Sequence, residues 1–409
     1  MSRLRIAYLV SRFPHVSETF IVRELDAVAA QAGLELELLA LFPSVNPTVH
    51  PRAQPWLERR RRPSVGEGIA GLLWWACRRP GRLAASVALV CRGYARRPSL
   101  LARALATVPL AASHARFVRL RKVDHVHAHY ATYPLLAAWF GHRLTGVPYS
   151  VTVHAHDIFI DRSFLARRLA EATFVVAISE YNRQFIRTHG SPGQTPIHVV
   201  HCGLEPAAYP FRPRVPSSTR PIRALCIASL QEYKGHRVLL HALADAGERL
   251  SRVQLDLVGD GPERGELEEL VLRLGLAARV RFHGSLPEPA VADLLGAADL
   301  FVLPSVVARN GQQEGLPVVL IEALAAGVPV VASRLSGVPE VIRDESTGLL
   351  AEPGDPEALA RLIEAVIDDS VAARARAEAG RQLVEREFDI HRSAATLGQL
   401  FLDATRQPR

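Results

Sequence analysis

The sequence predicts an α/β protein with two domains, each built on a doubly wound parallel sheet. Short apolar runs bounded by glycine, proline or polar turns alternate with longer helical patterns through most of the chain, as parallel strands alternate with crossover helices. A chain of 409 residues is also too long for one ordinary core. Finally, residues 206–221 contain five prolines in sixteen positions, which is typical of an interdomain linker.

These patterns give the domain boundaries. We expect a first domain of residues 1–205, a second of residues 206–387, and a last helix, about 388–409, that crosses back to the first domain. The strands predicted for the first domain are 5–10, 35–41, 125–129, 149–155, 174–179 and 197–203. Those predicted for the second domain are 223–229, 254–260, 280–285, 299–305, 329–333 and 347–352. If the two sheets face each other, a ligand is expected in a cleft at the carboxyl ends of their strands.

The positive charge of the chain is concentrated in one segment. The whole sequence has 49 Lys plus Arg and 41 Asp plus Glu, a net charge of +8. Residues 52–122 alone hold fifteen Arg and one Lys against Glu58 and Glu67, a net +14. The high isoelectric point therefore describes a patch, a basic helical insertion in the first domain, and not the whole surface.

Several features favour a reduced, cytoplasmic setting. The four cysteines have no CxxC spacing, which argues against a structural zinc site. The first apolar run, 6–10, is interrupted by Ser11 and Arg12, so we expect a first strand and not a signal peptide. The apolar runs 69–77 and 83–91 have nine residues each, far fewer than the ~20 that a membrane span requires.

The stretch EGLPVVLIEALAAGVPVVAS, residues 314–333, carries two acids in apolar surroundings, Glu314 and Glu322. An unpaired buried charge costs several kcal/mol or more, so a partner is expected for each. Pro317 suits the first turn of a helix, and Gly315 allows a ligand close to the backbone. The helix start is then a site for an anion, because free N–H groups and the helix dipole point at it.

These residues, with the later GVPE at 337–340, resemble the E-x7-E region of the retaining glycosyltransferases of family 4, which have the GT-B fold. By this resemblance Glu314 faces the donor sugar and Glu322 the ribose of a nucleotide sugar. The segments SRFPHVSETFI (11–21), HVHAHYA (125–131) and SVTVHAHDIF (150–159) resemble the branch that contains colanic acid and other exopolysaccharide glycosyltransferases. Within the last of these, His154 is expected beside the donor sugar.

The loop IASLQEYKGH, 227–236, resembles the phosphate-contacting loop of the same family. A lysine such as Lys234, followed by Gly235 and a helix, is well placed to neutralise a diphosphate without a metal. The sequence departs from the family at Ser229, where an arginine is usual. FHGSLP, 282–287, which contains Gly284, is expected near the nucleotide base.

The resemblance implies a hexosyltransferase that needs no cofactor and uses a UDP-, GDP- or ADP-sugar. Its catalytic residues are expected to be Glu314, Lys234 and His154, and backbone amides of Gly315 and Leu316 are expected to help stabilise the departing diphosphate. Sugar transfer proceeds with retention, and the leaving phosphate takes the acceptor's proton. The expected acceptor is a saccharide or a lipid-linked sugar.

Two other functions stay open from the sequence. A catalytically silent sugar-nucleotide-binding scaffold with the same fold is favoured by Ser229 alone. A metal-dependent hydrolase is suggested by histidines that alternate along one strand, followed by further polar residues: His125, His127, His129, His154, His156 and Asp157. For His125 and His127, however, we favour packing and hydrogen bonds over metal binding.

The basic segment 52–122 offers one more hypothesis. Its apolar runs, interleaved with arginines, are suited to an anionic membrane surface, and would make the protein peripheral to the inner face of the plasma membrane. The alternative is a helical insertion packed on the first domain with a solvated basic face. Nucleic acid is not an expected partner, because the segment contains no recognisable binding module.

Overall fold

The computed structural model describes residues 3–14, 19–44, 51–213, 216 and 220–406. The chain forms two compact units, Met1–His201 with Ile390–Arg409, and Cys202–Asp389. Each unit is built on a parallel sheet flanked by helices, which confirms the predicted fold class. The proposed linker, 206–221, lies in the second unit where it is described, and its residues 214, 215 and 217–219 lie outside the described residues. The same is true of residues 15–18 in the segment 11–21.

The first unit's described strands form a sheet of order β3-β2-β1-β4-β5-β6-β7. They are β1 (Leu4–Arg12), β2 (Leu34–Phe42), β3 (Arg60–Arg61), β4 (His125–His129), β5 (Tyr149–Val153), β6 (Phe174–Ala177) and β7 (Ile197–Val199). The strand order reverses between β1 and β4, so their carboxyl ends form the crevice where such sheets bind ligands. The edge strand β3 was not predicted, because a pair of arginines carries no apolar signal.

The helices of the first unit's N-terminal segment are α1 (Thr19–Ala29), α2 (Gln54–Arg59), α3 (Val65–Arg78), α4 (Pro80–Tyr94), α5 (Pro98–Leu120), α6 (Tyr133–Thr145), α7 (His156–Phe159), α8 (Leu165–Ala170) and α9 (Glu180–Phe185). Helix α3 begins with a capping box, in which Ser64 and Glu67 bond each other's backbone N–H groups. It packs closely on α5, since a Cβ at Gly71 would lie 2.7 Å from the Ser113 nitrogen. Trp75 fills the same contact and donates a hydrogen bond to the Ala112 carbonyl, 3.1 Å.

The insertion therefore belongs to the core of the first unit. Trp75, Val90 and Ala104 from α3, α4 and α5 share one buried cluster with strand residues such as Leu39 and Val151. In the part of the chain that the structure describes, every helix is too short or too polar to span a bilayer.

The second unit's described strands have the order β10-β9-β8-β11-β12-β13. They are β8 (Ile222–Ile227), β9 (Val253–Val258), β10 (Val280–Gly284), β11 (Leu300–Leu303), β12 (Val330–Ser333) and β13 (Leu349–Ala351). Its helices are α10 (His236–Asp245), α11 (Arg264–Arg273), α12 (Glu288–Ala297), α13 (Val318–Ala326), α14 (Val338–Val341), α15 (Pro356–Asp368) and α16 (Ser370–Glu387). Here the order reverses between β8 and β11, and the loops after these two strands carry the second unit's candidate residues.

The last helix, α17 (Ile390–Arg406), packs in the first unit. Its apolar face buries Ile390, Ala394, Leu397 and Phe401 in one cluster with residues of β1 and α1. The Phe401 ring lies 6.1 Å from that of Tyr8, centre to centre. This helix closes the face of the first sheet opposite α3, α4 and α5.

Candidate active-site residues

The loop after β8 is held tightly against the loop after β11. Lys234 ends a short turn, and Gly235 follows it with φ +71°. A Cβ at Gly235 would lie only 1.9 Å from the Pro304 carbonyl oxygen, so both the backbone angle and the close approach require glycine. The Val306 N–H also donates to the Tyr233 carbonyl, 2.9 Å. Together these contacts place Lys234 beside the end of β11.

Lys234 and Glu314 form an ion pair in the second unit. The Lys234 ammonium donates to Glu314 Oε1, and Ser305 Oγ donates to the same oxygen at 3.3 Å. The side chains of Lys234 and Glu314 are only 13% and 7% exposed. The ammonium also lies 4.8 Å from the Tyr233 ring centre, a distance suited to a cation–π contact. The buried acid Glu314 therefore has a partner on a distant part of the sequence.

The electrostatics of this pair keep the lysine charged. Burial alone lowers the pKa of Lys234, but the nearby Glu314 carboxylate and Tyr233 outweigh it and raise the pKa above its ordinary value. His236, two residues after Lys234, begins α10 and is buried; burial and the Lys234 charge lower its pKa to about 4. The loop after β8 thus presents one cation and one neutral imidazole.

Glu314 and Glu322 differ in their surroundings. Glu314 lies before α13 in irregular backbone, and Glu322 lies within α13 and is half-buried. Pro317 is the N-cap, with ψ 104°, and not a residue of the first turn as predicted. Of the residues between the two acids, only those from 318 onwards are helical. α13 ends at Gly327, whose φ is +81°.

The segment 314–317 is buried and ends at the start of α13. The Gly315 carbonyl accepts from the Gly337 N–H at 3.1 Å, which connects this segment to the GVPE motif. The Leu316 side chain is 5% exposed. Since the first N–H groups of any α-helix lack intrahelical partners, the start of α13 offers donors to an anion.

Ser229, Gly259 and Gly284 meet at the carboxyl ends of β8, β9 and β10. A Cβ at Gly259 would lie 2.0 Å from the Ala228 oxygen and 3.4 Å from the Ser229 nitrogen. Gly284, with φ +70°, accepts a hydrogen bond from the Gly259 N–H, 2.8 Å. The two predicted donor-binding loops, 227–236 and 282–287, therefore both contact the loop at Gly259, and Ser229 there is half-buried.

Arg264 is a cation near this position that the sequence reasoning did not select. Its Nη1 lies 3.5 Å from the point that a Cβ on Gly284 would occupy. It also pairs with Asp260 at 3.6 Å and with Glu268 at 2.9 Å. Arg264 lies in the segment VGDGPERGELEEL, 258–270, and its position directly after a predicted strand is the feature of the sequence that could have indicated it. A second cation is thus present even though Ser229 replaces the usual arginine.

In the first unit, His154 follows β5 and its backbone is held on both sides. Its N–H donates to the Asp157 carboxylate at 3.1 and 3.2 Å, and the Asn182 amide donates to its carbonyl oxygen. The same carboxylate accepts from the Ala131 N–H at 2.8 Å, which ties the loop after β4 to the loop after β5. The His154 ring lies 4.3 Å from the Tyr130 ring, centre to centre.

A chain of hydrogen bonds runs behind the His154 ring. His154 Nε2 lies 3.4 Å from His129 Nδ1, and His129 Nε2 lies 3.0 Å from Glu24 Oε1. The Tyr8 hydroxyl donates to the same Glu24 oxygen at 3.1 Å. Glu24 and Tyr8 were not predicted, because they lie on α1 and β1 and no local motif joins them to His154.

The neutral form of His154 follows from its burial. Burial, and then the neighbouring His129 and His156, hold the pKa of His154 well below its usual range. In the tautomer in which His129 Nε2–H donates to Glu24, His129 Nδ1 accepts from His154 Nε2–H. His154 Nδ1 is then a hydrogen-bond acceptor, which suits a sugar hydroxyl.

The preference for structural roles at His125 and His127 is confirmed. His127 bonds the hydroxyls of Ser150 and Thr152 with its two ring nitrogens, at 2.8 and 2.9 Å. His125 bonds Ser150 at 2.7 Å and stacks on Phe174. Burial lowers the pKa of His125 to about 3, so it is a neutral core residue.

The arrangement gives no support to the metal-dependent hydrolase. Among the described residues, ligand atoms close enough to share an ion belong to Glu24, His127 and His129. A metal there would have to break a bond between His127 and a hydroxyl. Asp157, which the hypothesis needs as a ligand, instead accepts backbone N–H groups of His154 and Ala131.

Comparison with known protein families agrees with this arrangement. The family model "Glycosyl transferases group 1" matches residues 210–383, and "Glycosyltransferase Family 4" matches residues 72–208. The first match contains the Lys234–Glu314 pair, and the second contains His129 and His154.

Curated relatives give the same result. The chain is 31% identical over 234 residues to the amylovoran biosynthesis glycosyltransferase AmsK of Erwinia amylovora, covering 57% of each chain. It is 32% identical to the putative colanic acid biosynthesis glycosyltransferase WcaL of Escherichia coli, over 50% of this chain and 51% of the relative. It is 30% identical to a GDP-mannose-dependent phosphatidylinositol monomannoside mannosyltransferase of Mycobacterium tuberculosis, over 60% of this chain and 67% of the relative. The matches thus span about half to two thirds of these relatives.

Among solved structures, HepE of Anabaena in complex with UDP matches with a TM-score of 0.72 and 20% identity. The match covers 98% of this chain and 100% of that protein. At this level of identity it establishes a shared fold for the whole chain.

Proposed function

The chain belongs to the family 4 glycosyltransferases of GT-B fold, and from this premise we propose that it is a retaining hexosyltransferase. It moves a sugar from a nucleoside diphosphate donor to a saccharide or lipid-linked acceptor in the synthesis of a cell-surface or exported polysaccharide. The second unit binds the nucleotide sugar, and the first binds the acceptor. The reaction needs no metal, because protein groups neutralise the diphosphate.

The observation that carries this proposal is the ion pair between Lys234 and Glu314. A lysine and a glutamate, each almost buried, join the loops after β8 and β11 beside the start of α13. Burying such a pair costs desolvation energy. A contribution to the stability of the fold therefore does not by itself explain why the pair lies at the strand ends. A diphosphate that binds the Lys234 ammonium in place of Glu314 would leave the Glu314 carboxylate free to accept hydrogen bonds from sugar hydroxyls.

The other candidate residues are assigned roles around a diphosphate bound at Lys234. The first N–H groups of α13, together with the backbone of Gly315 and Leu316, bind a phosphate oxygen. Half-buried Glu322, one turn into α13, accepts hydrogen bonds from the ribose diol. Ser229, Gly235 and Gly284 belong to the loops that let the nucleotide approach the backbone.

In the transfer step, the bond between the sugar's anomeric carbon and the β-phosphate oxygen breaks, and a bond to the acceptor oxygen forms on the same face. The acceptor's proton passes to the leaving phosphate oxygen, so no separate base is required. Lys234 and the α13 amides stabilise the negative charge that grows on the diphosphate. In the first unit, neutral His154 binds a sugar hydroxyl through Nδ1.

A scaffold that binds a sugar nucleotide without turning it over is the second candidate. Ser229 favours it, since the usual second phosphate cation is missing from that position. Arg264 weakens this argument, because a guanidinium lies close to the same loops. The active enzyme is therefore the better proposal.

We also propose a cytoplasmic protein that contacts the inner face of the plasma membrane through 52–122. Val65, Ile69 and Leu73 on α3 are 75%, 53% and 62% exposed and lie four residues apart, which aligns them along one helix face. Arginines surround this apolar line in the sequence, as in helices that lie in an anionic membrane surface.

The test is a panel of UDP-, GDP- and ADP-sugars with the purified protein and EDTA, scored for release of nucleoside diphosphate and for thermal stabilisation. We expect release from one donor class with EDTA present. Binding without release, even with added saccharide and lipid-linked acceptors, would favour the scaffold. Loss of activity on chelation would contradict the metal-independent mechanism.

A further inference from the structure

A second candidate binding site lies at the edge of the first sheet. A cavity of about 440 Å³ is lined by four consecutive arginines, 59–62, with Arg121, Phe117 and Glu37. Small-molecule sites occupy roughly 300–1,000 Å³, so the space exceeds what a single inorganic ion needs. Five arginines against one glutamate give this lining a net charge of +4.

The arginines of this pocket fall into two groups. Arg121 is engaged by Glu37 at 2.9 Å, and Arg61 by Glu67 at 3.1 Å. The Arg60 guanidinium donates to the Phe13 carbonyl. In contrast, Arg59 and Arg62 are exposed and have no ion-pair partner among the described residues. These two cations are available to a ligand.

The pocket holds like charges close together. Burial, and then the charge of Arg62, lower the pKa of Arg60. The Phe117 ring forms the apolar part of the wall, with the Arg61 guanidinium 5.0 Å from its centre. An anion that bound between the arginines would relieve this repulsion, and the ring would accept a less polar portion of the same ligand.

We propose that this arginine pocket is a binding site for a phosphate or diphosphate ester, with Arg59 and Arg62 as its main ligands. Guanidinium groups bind phosphate oxygens through two parallel hydrogen bonds, and the cavity has room for the organic group attached to the phosphate. The ester is either the headgroup of an anionic lipid or a soluble phosphorylated molecule.

The site is separate from the proposed donor site. Its residues lie on α2, on and directly after β3, in the middle of β2 and at the end of α5, at the sheet edge. His129 and His154 instead lie at the carboxyl ends of β4 and β5. The inference therefore goes beyond the proposed transfer reaction and does not depend on it.

A purely structural explanation exists for the same arginines. β3 is an edge strand, and charged side chains on edge strands prevent pairing with other chains. That explanation requires positive charge on the edge but no specific position for each guanidinium. Replacing Arg59 and Arg62 with lysine separates the two explanations, because lysine keeps the charge and removes the two-pronged geometry.

The experiment is calorimetric titration of the full chain with inorganic pyrophosphate, at low and at physiological ionic strength. We expect the double variant Arg59→Ala/Arg62→Ala to lose affinity by about tenfold or more, and the double lysine variant to bind with intermediate affinity. The matched control, Arg96→Ala/Arg97→Ala, removes the same charge from exposed positions outside the pocket and should change affinity by less than about twofold.

Pyrophosphate can also bind at Lys234, so the variant Lys234→Ala is titrated in parallel. The arginine-pocket component is the part of the binding that Lys234→Ala keeps and Arg59→Ala/Arg62→Ala loses. Hydrogen exchange is compared between the wild type and the double alanine variant. Addition of pyrophosphate should slow exchange of peptides containing 57–62 and 117–121 in the wild type but not in the double alanine variant. Circular dichroism confirms that each variant is folded.

Co-sedimentation with vesicles distinguishes the two sources of phosphate. Binding to phosphatidylglycerol vesicles, absent with pure phosphatidylcholine and lost in the double alanine variant, identifies a lipid headgroup. Pyrophosphate binding without vesicle binding identifies a soluble ester. If neither probe responds to Arg59 and Arg62 more than to Arg96 and Arg97, the site is refuted and the arginines serve the sheet edge.

Discussion

The two units hold their buried polar groups by different means. In the first unit, the polar residues near the strand ends are largely neutral histidines, bonded to hydroxyls, to one another and to Glu24. In the second unit, the corresponding loops carry an ion pair, Lys234 with Glu314. One unit therefore presents neutral hydrogen-bonding groups, and the other presents charge that a ligand can rearrange.

This difference matches the chemistry proposed for each unit. A sugar or acceptor has hydroxyl groups, which a neutral imidazole with a fixed tautomer can recognise. A nucleoside diphosphate is an anion, which needs a cation and helix amides. The comparison also predicts that the two units respond differently to acid and to mutation.

The largest expected effect is acid lability of the first unit. Its histidines 114, 125, 127 and 154 are buried, and burial is the main cause of their lowered pKa values: about 4 for His114 and about 3 for His125, with His127 and His154 well below the ordinary range. A lowered folded pKa means that the stabilising contribution is complete above the unfolded value of 6.5 and is lost as the pH falls below it. Each such histidine lowers the free energy of unfolding by about 1.4 kcal/mol for each pH unit between its unfolded and its folded pKa. Burial raises the pKa of Asp157, so this carboxyl group changes the free energy of unfolding in the opposite direction as the pH falls.

Hydrogen exchange between pH 7 and pH 5 measures this lability unit by unit. We expect peptides of β4 and β5 to lose protection before those of β8 and β11, because His125, His127 and His154 lie on or directly after β4 and β5 and have lowered pKa values. Simultaneous loss in both units would show that the buried histidines do not set the acid limit.

The next largest effect is expected at the ion pair. Lys234→Ala should lower turnover by about 10²–10³-fold, as the loss of one preorganised group that stabilises transition-state charge does. It also leaves the Glu314 carboxylate buried without its cation. The double variant Lys234→Met/Glu314→Gln removes both charges and so separates folding from catalysis. Steady-state kinetics that found near wild-type turnover in folded Lys234→Ala would exclude Lys234 from the mechanism.

A smaller effect is expected at Glu24, which orients the histidines of the first unit. Glu24→Gln removes the carboxylate that fixes the His129 tautomer, and should lower kcat by about tenfold with little change in donor KM. Nitrogen NMR of the imidazoles should show a changed His154 tautomer, which a purely structural role would not produce. Glu35→Gln, on β2, is the control. An unaltered tautomer together with unaltered kcat would disprove the orienting role.

The sequence reasoning selected more candidate residues in the second unit than in the first. Glu314, Gly315, Glu322, Lys234 and Gly235 lie in two short segments, and each segment resembles a segment of the family. The chain from His154 to Glu24 and Tyr8 joins β5, β4, α1 and β1, and only the parallel register of these elements brings it together.

The same reasoning explains the errors in the predicted elements. Apolar alternation located the longer strands, but the two-arginine strand β3 has no apolar residue and was missed. The start of α13 was misplaced because Pro317 fits both a first turn and an N-cap, and only its ψ of 104° decides between them. Pairing of Glu314 with Lys234, eighty residues away in sequence, was likewise invisible to local patterns.

Nucleotide binding by the second unit is proposed to depend on Glu322 and the start of α13. We would measure it by calorimetric titration of UDP, GDP and ADP into the wild type and Glu322→Ala, with the exposed Glu357→Ala on α15 as control. We expect one nucleotide to bind the wild type and the control equally and to bind Glu322→Ala about tenfold more weakly, since a lost hydrogen bond to a charged group costs about 1.5–3 kcal/mol. Unchanged affinity in Glu322→Ala would contradict this role of Glu322.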